Sequence, residues 1–313
     1  MGDWIPAEHI GYAAVPATCG ELVQGSLDGI PCLVSCPIDV YSVAMVRLEG
    51  TPRWHMPEER PKSAAALQLG LRHLGWSRGG VLHLVSPLPV GRGYGTSTAD
   101  LGATLYALGN ACGYAFTPPE VARLAVSIEP SDSTLFPGLT LFAHRGGEFY
   151  ETLAEAPPLY VVVLDPGGEV DTVAFNRRDH RAILQRLANE HRQAFDMLRQ
   201  SLQDGDWEMI GEAASLSSRL HQAILPNPWL DDAMRIARSV RALGVCRAHS
   251  GTLLGLLIDA VTTDVAAVTA YIARRLPFLT VHVHRLTGGG AVDPRNFDAA
   301  AVKKALACFA SDV

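Results

Sequence analysis

The sequence predicts an α+β chain of two domains. Three observations lead there: strand-like runs come in hairpin pairs in both halves, helical stretches follow those pairs instead of alternating with single strands, and 313 residues is long for one domain. Pro157-Pro158, just before the β-branched run Val161-Val162-Val163, places the boundary, giving domains 1–156 and 157–313.

Short strands are expected at Gly11 to Cys19 and Glu21 to Gln24, then a turn at Ser26-Leu27-Asp28-Gly29. Further strands follow at Cys32 to Cys36 and Val40 to Leu48. Lys62 to Leu74 carries apolar residues at helical spacing and follows a Pro- and charge-rich loop. Val81 to Leu88 is a strand. From Ser97, Leu101, Leu105 and Leu108 with intervening alanines mark a helix buried on most faces, ending near Gly113. Pro118-Pro119-Glu120 opens another helix, expected to run to Glu129, where Pro130 stops it. Leu139 to Ala143 is a strand. Beyond the boundary come helices near Arg178 to Gln203, Trp207 to Leu225 and Asp231 to Leu243. Strands at Val245 to Ala248 and Leu253 to Ile258, a helix at Val265 to Leu276 and a strand at Leu279 to Leu286 complete the chain.

Composition narrows the function. Hydrophobic residues make up 48% and the formal net charge is -6, which argues against nucleic acid or an anionic membrane surface as partner, since those are held by clustered Lys and Arg. Met1 to His9 lacks the basic and apolar regions of a secretory signal, and no apolar run is long enough to span a bilayer. The six cysteines are scattered without a disulfide-like pattern and are expected to be reduced thiols of a cytoplasmic protein. Cys32-x-x-x-Cys36 has no second ligand pair at suitable spacing and is expected to be structural. His180, His191 and His282-x-His284 are expected to be satisfied or solvated, not metal ligands.

One stretch carries chemistry. Pro89-Val90-Gly91-Arg92-Gly93-Tyr94-Gly95-Thr96-Ser97-Thr98-Ala99-Asp100 follows a strand and leads into a helix. Alternate glycines let a ligand approach the backbone, and a helix start offers unpaired N–H groups at a positive dipole end. Both are requirements for holding phosphate. Thr96 stands where a dinucleotide fingerprint needs Gly, and no Gly-Lys-Ser/Thr follows, so neither common phosphate loop is present. The same residues also suit a plain helix cap, with Ser97 and Asp100 spaced as a capping box.

The stretch resembles the Pro-x-x-x-Gly-Leu-Gly-Ser-Ser-Ala loop of the GHMP kinases, with Tyr94, Thr96 and Thr98 as departures. The resemblance implies a two-domain GHMP kinase fold, with an N-terminal domain like ribosomal protein S5 domain 2 and a ferredoxin-like C-terminal domain. It implies ATP and Mg2+ as cofactors. Pro89, Gly91, Arg92, Gly93, Tyr94, Gly95, Thr96, Ser97 and Thr98 would surround the phosphates, and Ser97 and Glu129 would hold the metal. Asp132 lies where several members place a catalytic aspartate, in a turn that is shorter here; an Asx turn accounts for it equally well. His249-Ser250-Gly251-Thr252-Leu253-Leu254-Gly255 occupies the place of the family's second glycine-rich loop, and a hairpin turn suits it nearly as well.

The N-terminal block Pro16-Ala17-Thr18-Cys19-Gly20-Glu21-Leu22-Val23-Gln24-Gly25, with Ser35-Cys36-Pro37-Ile38-Asp39, lacks the lysine usual in the family. Together with Glu129-Pro130-Ser131-Asp132-Ser133-Thr134-Leu135-Phe136, it is similar to members that phosphorylate L-threonine for the aminopropanol linker of cobalamin. That similarity implies L-threonine as the small-molecule partner, with Gly20, Glu21 and Asp39 as substrate anchors. A homoserine or other small-alcohol kinase, or a non-catalytic nucleotide sensor, is the alternative. Arg92 could meet phosphate, and Arg247 and Arg285 suit a carboxylate or a surface salt bridge.

Overall fold

β1 (Ile10–Leu27) and β2 (Ile30–Leu48) form one long antiparallel hairpin where the sequence suggested four shorter strands. Its turn is Asp28-Gly29, both at positive φ (50° and 82°), the twist that two-residue hairpins favour. Register shifts lie between Pro16 and Thr18, Thr18 and Glu21, and Glu21 and Val23. Bulges of this kind bend a strand and re-aim its side chains, and here they fall in the Thr18–Glu21 segment. The computed structural model describes residues 10–296 together with Val302 and Phe309; residues 1–9 and Cys308 lie outside the described residues.

A two-residue β3 (Trp54–His55) precedes α1 (Pro61–Leu74), and β4 (Gly80–Val85) pairs with β2. The glycine stretch then enters α2 (Thr96–Cys112), whose alanines and leucines bury it against β1, β2 and α1. α3 (Pro118–Val126) opens on a capping box between Thr117 and Glu120. It ends at Val126 instead of Glu129, where the Ile128 amide bonds the Ala125 carbonyl three residues back at 2.9 Å and tightens the last turn ahead of Pro130. β5 (Leu139–Phe142) pairs with β2 and with β6 (Tyr150–Ala154). β6 was not anticipated, since its largely exposed residues carry no apolar alternation.

After β7 (Leu159–Asp165) come α4 (Thr172–Asn176), α5 (Arg181–Arg186), α6 (Ala188–Asp204), α7 (Trp207–Leu220) and α8 (Leu230–Ser239). The single helix expected over Arg178 to Gln203 is thus broken at Leu187, and α4, five residues capped by the Asp171 side chain, was not foreseen. β8 (Gly244–Arg247), β9 (Leu254–Asp259), α9 (Val265–Arg275) and β10 (Thr280–Arg285) follow. The strands stand in the order β10-β7-β9-β8 with antiparallel neighbours, the split β-α-β order of a ferredoxin-like unit.

β8 pairs with β1 at Arg247 and Glu21, so the sheet continues from one half of the chain into the other. A shared core containing Cys19, Leu22, Cys36, Val161, Phe195, Ile210 and Cys246 lies under that junction. The bulged segment of β1 enters this core and also reaches the glycine stretch, the Thr18 and Gly20 N–H groups donating to the Tyr94 and Gly93 carbonyls. Among the described residues, no helix is long and apolar enough to cross a membrane.

Candidate active site

The glycine stretch has no regular structure until Gly95, and Gly91, Gly93 and Gly95 all have positive φ (80°, 104° and 61°). Each carbonyl from Gly91 to Tyr94 is turned into the scaffold. Gly91 O accepts from Val170, Arg92 O from Thr252 and Leu253, Gly93 O from Gly20, and Tyr94 O from Thr18, all at 2.8–3.1 Å. In a planar trans peptide the following N–H points the opposite way, so the loop presents amides on its outer side. Gly95 is the N-cap of α2 and no side chain caps the helix. The capping box of Ser97 and Asp100 therefore does not form. Asp100 instead accepts from Ser42 at 2.6 Å and from Arg60 at 2.9 Å, and the first-turn amides of α2 remain an anion-binding terminus.

A cleft of about 90 Å³ lies over this surface, walled by Gly91 and Gly93 to Thr98 on one side and by Lys62, Glu129 and Asp132 on the other. The Ser97 hydroxyl donates to Glu129, and Lys62 Nζ reaches the same carboxylate at 2.5 Å. Lys62 carried no sequence signal, being a helix-start lysine 67 positions from its partner. The Thr98 hydroxyl accepts the Asp132 N–H at 3.0 Å. Pro89 and Arg92 do not line the cleft. The Pro89 carbonyl closes the loop by accepting from the Thr96 hydroxyl at 3.2 Å. Arg92 stays out of the cleft because buried Asp165, at the end of β7, draws its guanidinium to 2.9 Å. Tyr94 contributes backbone alone to the cleft's edge, since its ring is buried and its hydroxyl lies 3.4 Å from the same carboxylate.

Asp132 closes the cleft. Its turn is held to β2 by Ser133 and Ser35, and burial pushes its carboxyl up to about 6, with a hydrogen bond from Thr98 opposing and the Glu129 charge adding. A Cβ on Gly95 would stand 2.7 Å from Asp132 Oδ2 and 2.9 Å from the Thr18 hydroxyl, so this carboxylate lies against the glycine loop. Glu21 is also buried, and its carboxyl is raised well above the ordinary range by burial and then by the charge of Asp132, with the His249 N–H and Arg247 acting against. Its Oε2 has no hydrogen-bond partner.

Two expected substrate anchors sit otherwise. The Gly20 N–H is spent on Gly93 O at 3.1 Å, and a Cβ there would stand 2.2 Å from Arg247 O, so Gly20 serves the close contact of β1 with β8. Asp39 lines neither cavity; it accepts the Arg285 N–H at 3.0 Å and faces His284 at 3.4 Å, tying β10 to β2. Arg247 is no surface residue. It is 1% exposed, with its guanidinium donating to Gln222 and to the Leu225 carbonyl at 2.7 Å each. The second loop backs the first: Gly251 packs on the Arg92 carbonyl, and Ser250 reaches the cleft.

A larger chamber of about 580 Å³ lies alongside, lined among others by Gln24, His144, Arg145, His191, His221 and His249. It adjoins the Asp132 turn, since the Ser131 N–H donates to the His144 carbonyl at 3.0 Å. Burial holds the imidazoles of His144 and His221 down to about 3 and that of His249 well below its usual range. These histidines come from four separate segments, and nothing in their spacing announces them.

Ser97 and Glu129 offer hard oxygens side by side at the helix start. Among the described residues no group of three or more His, Cys, Asp or Glu is placed to hold a metal by itself. That donor set suits magnesium, which keeps waters and takes few protein ligands beside nucleotide phosphates.

The family profile described as GHMP kinases N terminal domain matches residues 62–136. Among solved structures, homoserine kinase from Cytophaga hutchinsonii superposes with a TM-score of 0.71 at 17% identity, covering 93% of this chain and 99% of that one. L. major mevalonate kinase in complex with R-mevalonate gives 0.68 at 20%, covering 91% and 97%. With relatives above 30% identity over most of their length as well, the chain belongs to the GHMP kinase family. Within the family it is similar to the L-threonine kinase of Salmonella typhimurium, 32% identical over 277 residues, 87% of this chain and 91% of the relative. The L-threonine kinase of Citrobacter freundii is also 32% identical, over 88% and 98%.

Proposed function

We propose that this protein is an L-threonine kinase that transfers the γ-phosphoryl group of ATP to the side-chain hydroxyl, giving O-phospho-L-threonine. The observation that carries the reading is the placement of a raised, buried Asp132 carboxyl against the uncapped glycine-loop terminus of α2. Similarity to L-threonine kinases over nearly the whole chain supplies the acceptor. In this reading residues 1–156 form the ATP-binding domain, residues 157–313 form the second domain, and the reaction takes place in the cytoplasm.

The loop amides and the α2 terminus hold the phosphates through backbone donors and the helix dipole. Magnesium, when bound, neutralises charge on the phosphates, and Ser97 and Glu129 are the residues that would hold it. Lys62 keeps Glu129 in place and adds a positive charge beside the transferring group. The threonine hydroxyl oxygen attacks the γ-phosphorus, the bond to the bridging oxygen breaks, and ADP leaves with that electron pair. Asp132 takes the hydroxyl proton; a carboxyl raised to about 6 is close enough to neutrality to do so. In this reading Glu21, buried beside Asp132 with an unpartnered oxygen and held toward its neutral form, accepts a hydrogen bond from the substrate ammonium.

The test is magnesium-dependent ADP release over L-threonine, L-serine, L-homoserine and small sugars, with the product identified by phosphorus NMR. L-threonine is expected to give the highest kcat/KM. Homoserine as the best substrate would overturn the threonine reading, and no release with any acceptor would favour a nucleotide sensor.

A further inference from the structure

An amino acid acceptor brings a carboxylate that needs a cation, and the cations around the site are mostly engaged. Arg92 is held by Asp165, Arg247 donates to Gln222 and to the Leu225 carbonyl, Arg181 forks onto Asp179, and Arg178 lines the chamber as an exposed side chain. Arg285 lies over the Tyr160 ring on β10, away from both cavities.

Arg145 differs. It lines the chamber directly after His144, and its hydrogen bond is a long one to the Asn176 carbonyl, 3.3 Å. No carboxylate pairs with it among the described residues, and burial pulls its guanidinium down from the usual range. A partly buried guanidinium without an anion is an incomplete ion pair. Its charge is felt by His144, His180 and His249, which sets it among the chamber's imidazoles. Gln24 is 2% exposed and lines the same chamber, yet neither its amide oxygen nor its amide nitrogen has a partner. Buried side-chain amides are almost always hydrogen-bonded. Both ends of Gln24 therefore await a ligand, as do the Nδ1 atoms of His191 and His249.

We propose that Arg145 and Gln24 hold the α-carboxylate of the acceptor in the histidine-walled chamber, while Glu21, which lies outside the chamber lining and is bonded to the His249 N–H, accepts a hydrogen bond from its ammonium. This rests on the L-threonine kinase reading and names the residues that make that site select a free amino acid. Arg145 offers the planar fork that a carboxylate fits. The neutral imidazoles add no charge to the chamber wall, and Asp179, which also lines it, is taken up by Arg181. His249 joins the two ends, donating its backbone N–H to Glu21 while its ring contacts His144 at 5.0 Å between centroids. Ser131 bonds His144, so a carboxylate held by the next residue sits at a fixed offset from Asp132.

The experiment compares L-threonine with L-threonine amide, which keeps the ammonium and hydroxyl and lacks the negative charge. It uses the wild-type full chain and the variants Arg145→Met, Arg145→Lys and Gln24→Leu. Wild type is expected to prefer threonine over its amide by roughly 10- to 100-fold in kcat/KM, the scale of a charged hydrogen-bonded contact. Arg145→Met should raise KM for threonine by a similar factor with kcat and the KM for ATP changed far less, and should erase the preference. Arg145→Lys should restore part of it, and Gln24→Leu should raise the threonine KM several-fold. Equal use of threonine and its amide by wild type would overturn the proposal without touching the kinase reading, and so would an unchanged threonine KM in Arg145→Met. Absence of threonine turnover in wild type would instead remove the reading on which the proposal rests.

Discussion

Ser35 and Ser133 exchange hydrogen bonds, each hydroxyl accepting the other's backbone N–H at 3.0 Å. The pair is buried, and it fastens the turn after α3 to the middle of β2. Asp132 is the residue immediately before Ser133, so its position depends on a strand 98 residues away. Ser35→Ala would leave the Ser133 N–H buried without a partner, a cost of about 1–3 kcal/mol. Lower thermal stability together with lower kcat is expected; a stability loss with kcat intact would show that Asp132 is positioned by other contacts.

Asp132 should impose an acid limb on activity. Its raised carboxyl must be deprotonated to accept a proton, so kcat/KM for threonine is expected to fall as pH drops through about 6. Asp132→Asn should lose roughly 10²- to 10⁴-fold in kcat and the limb with it. Stability moves the other way. A carboxyl whose folded pKa of about 6 exceeds its ordinary 3.8 destabilises the fold as pH rises between those values, because the native state binds the proton more tightly. Asp132→Asn should therefore be more stable than wild type at pH 8, measured by denaturant unfolding. If most activity survives across pH, the turn is structural.

Glu129→Gln keeps the shape of the Ser97 and Lys62 contacts but removes the charge. Turnover should drop by roughly 10² or more, with a higher magnesium requirement. A near-normal rate at low magnesium would reject the metal role. Lys62→Met should lower kcat less than Glu129→Gln, since it leaves both oxygen donors in place.

The three loop glycines should not behave alike. A Cβ on Gly93 would stand 2.2 Å from the Ala248 Cβ, at φ 104°, so Gly93→Ala pushes the loop off the segment just after β8 and should weaken ATP binding. On Gly95 the clash is with Asp132 and Thr18, so Gly95→Ala should depress kcat more than nucleotide affinity. Unchanged affinity and kcat in both variants would return the loop to a helix cap.

Selectivity among acceptors follows from anchoring both ends of the amino acid. Homoserine carries its hydroxyl one carbon further out, and displacing a reacting oxygen by about 1 Å can cost roughly 10²-fold. Serine keeps the hydroxyl in place and lacks only a methyl group, worth about 1–3 kcal/mol in an apolar pocket. Slow serine turnover and very slow homoserine turnover are expected in one kcat/KM series. Homoserine faster than serine would show that the ammonium and carboxylate are not both fixed.

Local sequence determined most of the elements and the glycine loop before α2. Alternating glycines between a strand and an alanine-rich helix state their conformation within a dozen residues, because positive φ and helix periodicity are local properties. Ser97 and Thr98 were legible from the loop itself, and Glu129 and Asp132 through the family resemblance; all four line one cleft. What tertiary structure decided is where charges meet. Arg92 sits inside the loop, yet Asp165 on β7 pulls it away. Asp39 belongs to a distinctive block, yet β10 claims it. Lys62, Gln24, Arg145 and the histidine chamber come from segments that the bulged β1 and the helices of the second half bring together. Ion pairs and cavities have no sequence period. They arise from contacts between residues tens to hundreds of positions apart, and only the packed sheet shared by both halves sets those distances.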